Sequence, residues 1–412
     1  MNHIIRVPNR LLRPQLAARS RPSINTASFP RLLSSSPSSP FQSSHTHRRA
    51  LEHPTMSPQF TIPKTQTAAV VPAHGSPLEI RHDHPVVQPE DLKPGECLVK
   101  LISTGVCHTD LHCAKNDWPV ASIVPLVGGH EGVGTVVAIG AHTAGSPVKL
   151  GDRVGIKWLA SSCLKCEFCR KGLEQVCPKG QYSGFTIDGT FQEYCRSDVQ
   201  HVTPIPDNLD SAEAASILCA GITVYRAIKY SKSQIGDWIV FPGAGGGLGH
   251  LAVQYAAAMG LRVLAIDTGA EKKDLVMSLG AEKWIDFKES KDLVKDIIAA
   301  TDGLGPHTAV ITAATSAAYE QAVDYLRPGG TLMAVGLPGH ATLNAGIFQT
   351  VVKSINIQGS YVGNRQDAFE ALDIASRGKV KVVFKTKPLE ALKETYEALE
   401  AGTIAGRIVL NF

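Results

Sequence analysis

The run Trp238-Ile239-Val240-Phe241-Pro242-Gly243-Ala244-Gly245-Gly246-Gly247-Leu248-Gly249 decides the architecture. Its first four residues are bulky and apolar and read as a buried strand. A glycine turn follows, then a helix is expected over 248–259 and a second strand over 262–267. Such a turn lets backbone approach a pyrophosphate, which then sits at the helix N-terminus. The spacing of Gly243, Gly246 and Gly249 is looser than G-x-G-x-x-G, so the glycines alone would also suit an ordinary tight turn. The context adds weight: strand before, helix after, and Asp267 lying 18 residues past Gly249 at the end of the next strand. A carboxylate there binds ribose hydroxyls and repels a 2′-phosphate, and Thr268 beside it supplies no Arg, so NAD is expected over NADP.

Toward the C-terminus, helix and strand keep alternating through strands at 308–312 and 331–335. That rhythm predicts an α/β region with a parallel, doubly wound sheet. Upstream, 60 to about 220 reads instead as short β segments between turns, with β-rich runs at 97–102 and 134–139 bounded by Gly or Pro. A last short strand is expected at 407–410. The domain reading is therefore a catalytic domain over 57–222, a cofactor domain over 223–358, and a return to the catalytic domain over 359–412.

The first fifty residues hold eight Arg and no acid, more positive charge than the chain's net +4, so the body is slightly acidic. Nothing in that balance points to nucleic acid, and no run nears the ~18–20 apolar residues of a membrane span. Arg6, Arg10 and Arg13 fall at helical spacing, with Ile5, Leu12 and Leu16 on another face. Residues 1–56 thus read as a mitochondrial transit peptide, which puts the mature protein in the matrix. A disordered tail is the bland alternative, and a start at Met56 would give a cytoplasmic form.

Nine cysteines are an odd number, and four crowd into Cys163-x2-Cys166-x2-Cys169-x7-Cys177. This is not a secreted disulfide framework. Four thiolates in the loop 161–178 suit tetrahedral zinc, with an iron–sulfur cluster as the rival. A closed four-sulfur site has no open position, so it is expected to be structural. Cys107, His130-Glu131 and Cys219 stand apart in sequence but in unusual settings. Two thiolates and one imidazole would leave a fourth position open, the catalytic arrangement. Taken singly, each reads equally well as a core cysteine or a hydrogen-bonded histidine.

Gly105-Val106-Cys107-His108-Thr109-Asp110-Leu111-His112, Val127-Gly128-Gly129-His130-Glu131-Gly132 and the four-Cys loop recur in order with Leu218-Cys219-Ala220-Gly221-Ile222-Thr223-Val224-Tyr225, Gly359-Ser360-Tyr361-Val362-Gly363-Asn364-Arg365 and Ala405-Gly406-Arg407. From about residue 57 onward the chain resembles the zinc-dependent medium-chain alcohol dehydrogenases, most closely the fungal, yeast-type enzymes. The resemblance implies a GroES-like β-rich catalytic domain plus a Rossmann cofactor domain, and one zinc ion in each cysteine-containing set. It implies that Cys107, His130 and Cys219 bind catalytic zinc, that Glu131 can approach it, and that Asp110 orients His130. Thr109 would take the alcohol proton and pass it to the nicotinamide ribose. His108 and Arg407 would face the pyrophosphate on the turn Gly243, Gly246, Gly247, Leu248 and Gly249, with Lys272 beside Asp267 at the adenine ribose. Trp118 and Trp158 would keep the alcohol pocket small, favouring ethanol-sized primary alcohols.

The family relay often ends in a histidine; Lys115 stands at the position matched to it, with His112 or water as the alternative end. A lysine in that role would need a pKa far below its usual value of about 10.4. The implied partners are a small alcohol or aldehyde and further copies of the chain, as a homotetramer. Two enzyme rivals share the fold, acting on polyols or formaldehyde adducts, and a nucleotide-binding regulatory protein is the rival from another class. Loss of zinc ligands would mark the last, and all seven cysteine and histidine ligands are present.

Overall fold

The computed structural model describes residues 60–412 apart from His340 and Ala405. The transit-peptide reading and Met56 lie outside the described residues.

The expected parallel sheet is present. Its strands run in the order Lys283–Asp286, Arg262–Asp267, Trp238–Pro242, Thr308–Ile311, Thr331–Ala334 and Asn356–Gly359, and every neighbouring pair is parallel. Trp238–Pro242 is buried throughout, as a strand covered on both faces must be. The chain leaves it toward Arg262–Asp267 on one side and later returns at Thr308–Ile311 on the other. That reversal opens a crevice at the carboxyl ends of the strands, where such sheets bind ligands.

The helix after the glycine turn is Gly249–Ala258, and its residues from Gly249 to Ala256 are all buried. Its burial includes His250, whose Nδ1 donates to the Gly246 carbonyl at 3.0 Å while Nε2 accepts from the Val383 N–H at 3.3 Å. Burial pushes that imidazole's pKa down to about 4, so it stays neutral with one nitrogen free to accept. Gln254, one helical turn on, pairs with both backbone groups of Lys381 at 2.8 Å. The cofactor helix is thus stitched to the segment that carries the chain back to the β-rich domain.

That domain is built on a largely antiparallel sheet ordered Thr203–Pro204, Arg153–Ile156, Gly132–Ile139, Glu96–Val106, Arg407–Asn411 and Phe384–Pro388, with Tyr194–Asp198 also on Glu96–Val106. Strands expected at 97–102, 134–139 and 407–410 all appear, extended by five, two and one residues. The last strand pairs antiparallel with Glu96–Val106, from Ile408 opposite Val106. The C-terminal stretch therefore does return to the first domain. Between the domains, helix Arg365–Ser376 packs on helix Ile222–Tyr230. Asn364 caps it in a capping box with Asp367. The Asp367 carboxylate is fully buried and meets Arg226 at 2.6 Å and Lys229 at 3.1 Å. Removing one side of such a buried pair costs about 3–5 kcal/mol, so this joint is rigidly specified. Among the described residues no helix is long and apolar enough to cross a membrane.

Candidate active site

Cys107, His130, Glu131 and Cys219 arrive from three places in the chain and are all buried, with their ligand atoms within 4.8 Å of one another. Cys107 directly follows the strand Glu96–Val106 and caps the helix His108–Lys115. His130 and Glu131 lie between the strands Leu126–Val127 and Gly132–Ile139. Cys219 rides on a single wider, π-type turn, Ile217–Gly221, inserted ahead of helix Ile222–Tyr230, the kind of helix defect that often marks a functional position.

Asp110 ties the group together. One carboxylate oxygen accepts the His130 Nδ1 proton at 2.7 Å, and the other accepts the Cys107 backbone N–H at 2.8 Å. The imidazole is thereby held with Nε2 facing the sulfurs, 3.2 Å from Cys219 Sγ. Burial by itself would push the His130 pKa down, but Asp110 and Cys107 hold it well above its ordinary value. The Cys219 thiol donates to Cys107, which keeps the Cys107 thiol well below the usual range and Cys219 well above it. Burial raises Glu131 to about 7 against the pull of Arg407. Two sulfurs and one ring nitrogen around a point are donors for a borderline-soft ion, and three protein ligands leave one position for an oxygen. The donor set fits catalytic zinc.

The four-cysteine loop passes a sharper test. Its sulfurs lie within 4.8 Å of one another, with separations of 3.9, 3.5, 3.8 and 3.6 Å among Cys163, Cys166, Cys169 and Cys177. Tetrahedral zinc with bonds of about 2.3 Å demands sulfur pairs about 3.8 Å apart, whereas a disulfide needs about 2.05 Å. The loop's spacing fits a single zinc ion held by all four sulfurs.

Next to Cys107 a 760 Å³ cleft opens between the domains. The predicted cofactor residues His108, Gly243, Gly246, Gly247, Leu248, Asp267, Lys272 and Arg407 all line it, and Gly249 begins the helix directly behind. Gly243 has φ +84°, and a Cβ there would lie 2.9 Å from the Ala313 nitrogen. A Cβ on Gly249 would lie 2.1 Å from the Gly243 oxygen. No side chain fits at Gly243 or Gly249, so bare backbone stands at both ends of the turn where a pyrophosphate would sit. Asp267 accepts the Gly245 N–H at 2.9 Å on one oxygen and the Lys272 ammonium at 3.0 Å on the other. A glycine cradle followed by a buried carboxylate fits NAD.

Several predicted residues sit differently from their expected settings. Arg407 lines the cleft against Gly247 but turns a guanidinium nitrogen onto both oxygens of Glu131. Lys115 is not brought to the cleft; its ammonium pairs with Glu400 on a side chain about two-fifths exposed. His112 gives Nδ1 to Asp117 Oδ1 at 2.7 Å and stacks on Trp118, ring centroids 5.3 Å apart. Thr109 is half-buried beside His108. Trp158 stands edge-on to the His130 ring at 5.2 Å, and Trp118 stands edge-on to Trp158 at 6.3 Å. Phe185 and Tyr361 complete this wall, Phe185 against both tryptophans and Tyr361 through its hydroxyl on the Trp158 indole N–H. Sequence reasoning gave neither a role. Tyr361 lies inside the quoted 359–365 run, but its partner is 203 residues away.

Comparison with known proteins agrees with this geometry. Residues 93–207 match the alcohol dehydrogenase GroES-like domain family, and 247–377 match the zinc-binding dehydrogenase family. An alcohol dehydrogenase of Schizosaccharomyces pombe is 50% identical over 353 residues, 85% of this chain and 99% of that one. Alcohol dehydrogenase 1 of Neurospora crassa is 49% identical over 355 residues, 86% of this chain and 99% of its own. Among solved structures, the alcohol dehydrogenase of Aeropyrum pernix superposes with a TM-score of 0.76 at 30% identity, covering 84% of this chain and all of that one. The acetophenone reductase of Geotrichum candidum, solved with NAD, gives 0.75 at 28% identity over 86% of this chain and 99% of its own. With its ligand cage, its glycine cradle and half its residues in common with fungal enzymes, the chain belongs to the zinc-dependent medium-chain alcohol dehydrogenases of fungal type, which interconvert alcohols and carbonyl compounds with NAD.

Proposed function

We propose that the preferred substrates are primary alcohols of about ethanol's size and their aldehydes. The observation that carries this is Trp158, standing over the His130 ring with Trp118 and Phe185 packed around it. Aromatic walls this close to the ligand cage leave little room for branching at the reacting carbon.

Cys107, His130 and Cys219 would hold the catalytic zinc, and Cys163, Cys166, Cys169 and Cys177 the structural one. Zinc, when bound, supplies a Lewis acid that makes an alcohol oxygen acidic near neutral pH. Bound nicotinamide supplies the hydride acceptor. The remaining work belongs to the chain. Asp110 fixes the tautomer and tilt of His130. Gly243 to Gly249, Asp267 and Lys272 seat the cofactor's phosphates and ribose, and His108 and Arg407 add positive charge at the same cleft. Thr109 takes the alcohol proton. His112 is its outer acceptor in this reading, because Asp117 occupies Nδ1 and leaves Nε2 able to accept. Lys115 is spent on Glu400.

A homo-oligomer, a tetramer by family likeness, is supported by one uncovered face. Helix Ile347–Val352 has no buried residue, and Ile347, Phe348, Val351 and Val352 are each 63–82% exposed. Among the described residues the adjoining strand Asn356–Gly359 pairs on one side only. A bare sheet edge beside an apolar helix is a face that a second copy would cover.

Three measurements follow. Initial rates with ethanol and 2-methyl-1-propanol should show Trp118→Ala shifting preference toward the branched alcohol by about tenfold; an unchanged profile contradicts the pocket. Near neutral pH, His112→Gln should lower kcat/KM by about tenfold or more and Lys115→Ala should barely move it, with the opposite pattern returning the relay to Lys115. Light scattering should find Phe348→Glu at a lower oligomeric mass than the parent, and equal masses would place the interface elsewhere.

A further inference from the structure

The segment Tyr361-Val362-Gly363-Asn364-Arg365 joins the last strand of the cofactor sheet to the interdomain helix. Val362 has φ +39°, a conformation that a β-branched residue adopts only under constraint. Strain of this kind persists where the surroundings over-determine the backbone, and here both sides can be named. On one side the four-cysteine loop grips the segment. Asn364 Nδ2 donates to the Gly172 carbonyl at 2.8 Å. The buried Glu174 carboxylate accepts the Arg365 backbone N–H at 3.0 Å and its Nε at 3.3 Å. On the other side Gly363 is pressed so close to Ile222, next to the turn bearing Cys219, that a Cβ would lie 2.1 Å from the Ile222 methyl.

Between these grips the Tyr361 hydroxyl takes the Trp158 indole N–H, and Trp158 is the ring against His130. Tyr182 reinforces the link: its hydroxyl donates to the Gln175 carbonyl inside the loop at 3.2 Å, and its ring lies 5.5 Å from Trp158 and 6.4 Å from Tyr361.

We infer that Tyr361–Arg365 is a strut by which the four-cysteine loop sets the alcohol pocket, with Tyr361 as a positioning residue that fixes Trp158. The loop on this account does more than hold its own surface shape. Glu174 and Gly172 fix where helix Arg365–Ser376 begins, the strained turn at Val362 sets the direction of Tyr361, and its hydroxyl pins the wall of the substrate site. A tight hold favours the small alcohol. Loosening it anywhere along the strut widens the pocket without touching a zinc ligand.

The inference rests on the pocket reading above, so Trp158→Ala is the control. With the zinc-loaded full-length protein, kcat/KM is compared for ethanol and 2-methyl-1-propanol, alongside thermal unfolding. Tyr361→Phe removes one oxygen. It should lower the ethanol preference by about two- to tenfold, the range for one neutral hydrogen bond, through a higher KM for ethanol and with little change in unfolding midpoint. Glu174→Gln should shift preference the same way. The double variant should go no further than Tyr361→Phe alone, because both act through one path. If Trp158→Ala changes the preference and Tyr361→Phe does not, the strut is wrong while the pocket stands. Independent, multiplicative effects of the two substitutions would also overturn it. If Trp158→Ala leaves preference unchanged, pocket and strut fall together.

Discussion

A buried carboxylate with two jobs underlies this site. Asp110 holds the His130 ring through one oxygen and the Cys107 backbone through the other, so a ligand from one strand end and a ligand from another loop are set at a fixed separation. In a site this dry each bond is electrostatically strong and an unpaired partner would be expensive. The consequence runs outward. With Nδ1 committed, Nε2 must face the sulfurs. Glu131, next in sequence, is turned toward Gly105, where any Cβ would lie 1.9 Å from its carboxylate oxygen. Arg407 then crosses from the last strand to meet that carboxylate, which carries the C-terminus into the cleft.

The π-type turn at Ile217–Gly221 is the matching device on the other wall. A regular helix would carry Cys219 at a different angle; the wider turn lets its sulfur face His130 Nε2 while helix Ile222–Tyr230 keeps its packing against Gly249–Ala258. Two domains thus converge on one cleft by different means: bare glycine backbone at Gly243 and Gly249 of the turn, and side chains fixed by a shared carboxylate at the ligand cage. His250 and Gln254 keep the first in register with the 381–383 segment that leads back to the second.

The readable parts of the sequence were those whose signal is local. The strand, glycine turn and helix at 238–258 follow from steric rules acting within a few residues, and four cysteines within fifteen positions announce their own geometry. The ligand cage was only half legible: its three pieces are unremarkable singly and were grouped by likeness to a family. Contacts between residues far apart in sequence left no mark. Arg407 meets Glu131 across 276 residues and Trp158 meets Tyr361 across 203, and neither periodicity nor spacing reports such a pair. Lys115 illustrates the same point: it stands one turn from His112 on the same short helix, but its ammonium pairs with Glu400, a partner 285 residues away.

The central claim is that Cys107, His130 and Cys219 hold one catalytic zinc ion while the four-cysteine loop holds another. Metal analysis of the purified protein and of Cys107→Ala, paired with NAD reduction by ethanol, tests it directly. The parent should carry about two zinc ions per chain and the variant about one, with the variant still folded and its turnover lost. Equal zinc content, or full turnover in the variant, would contradict the account.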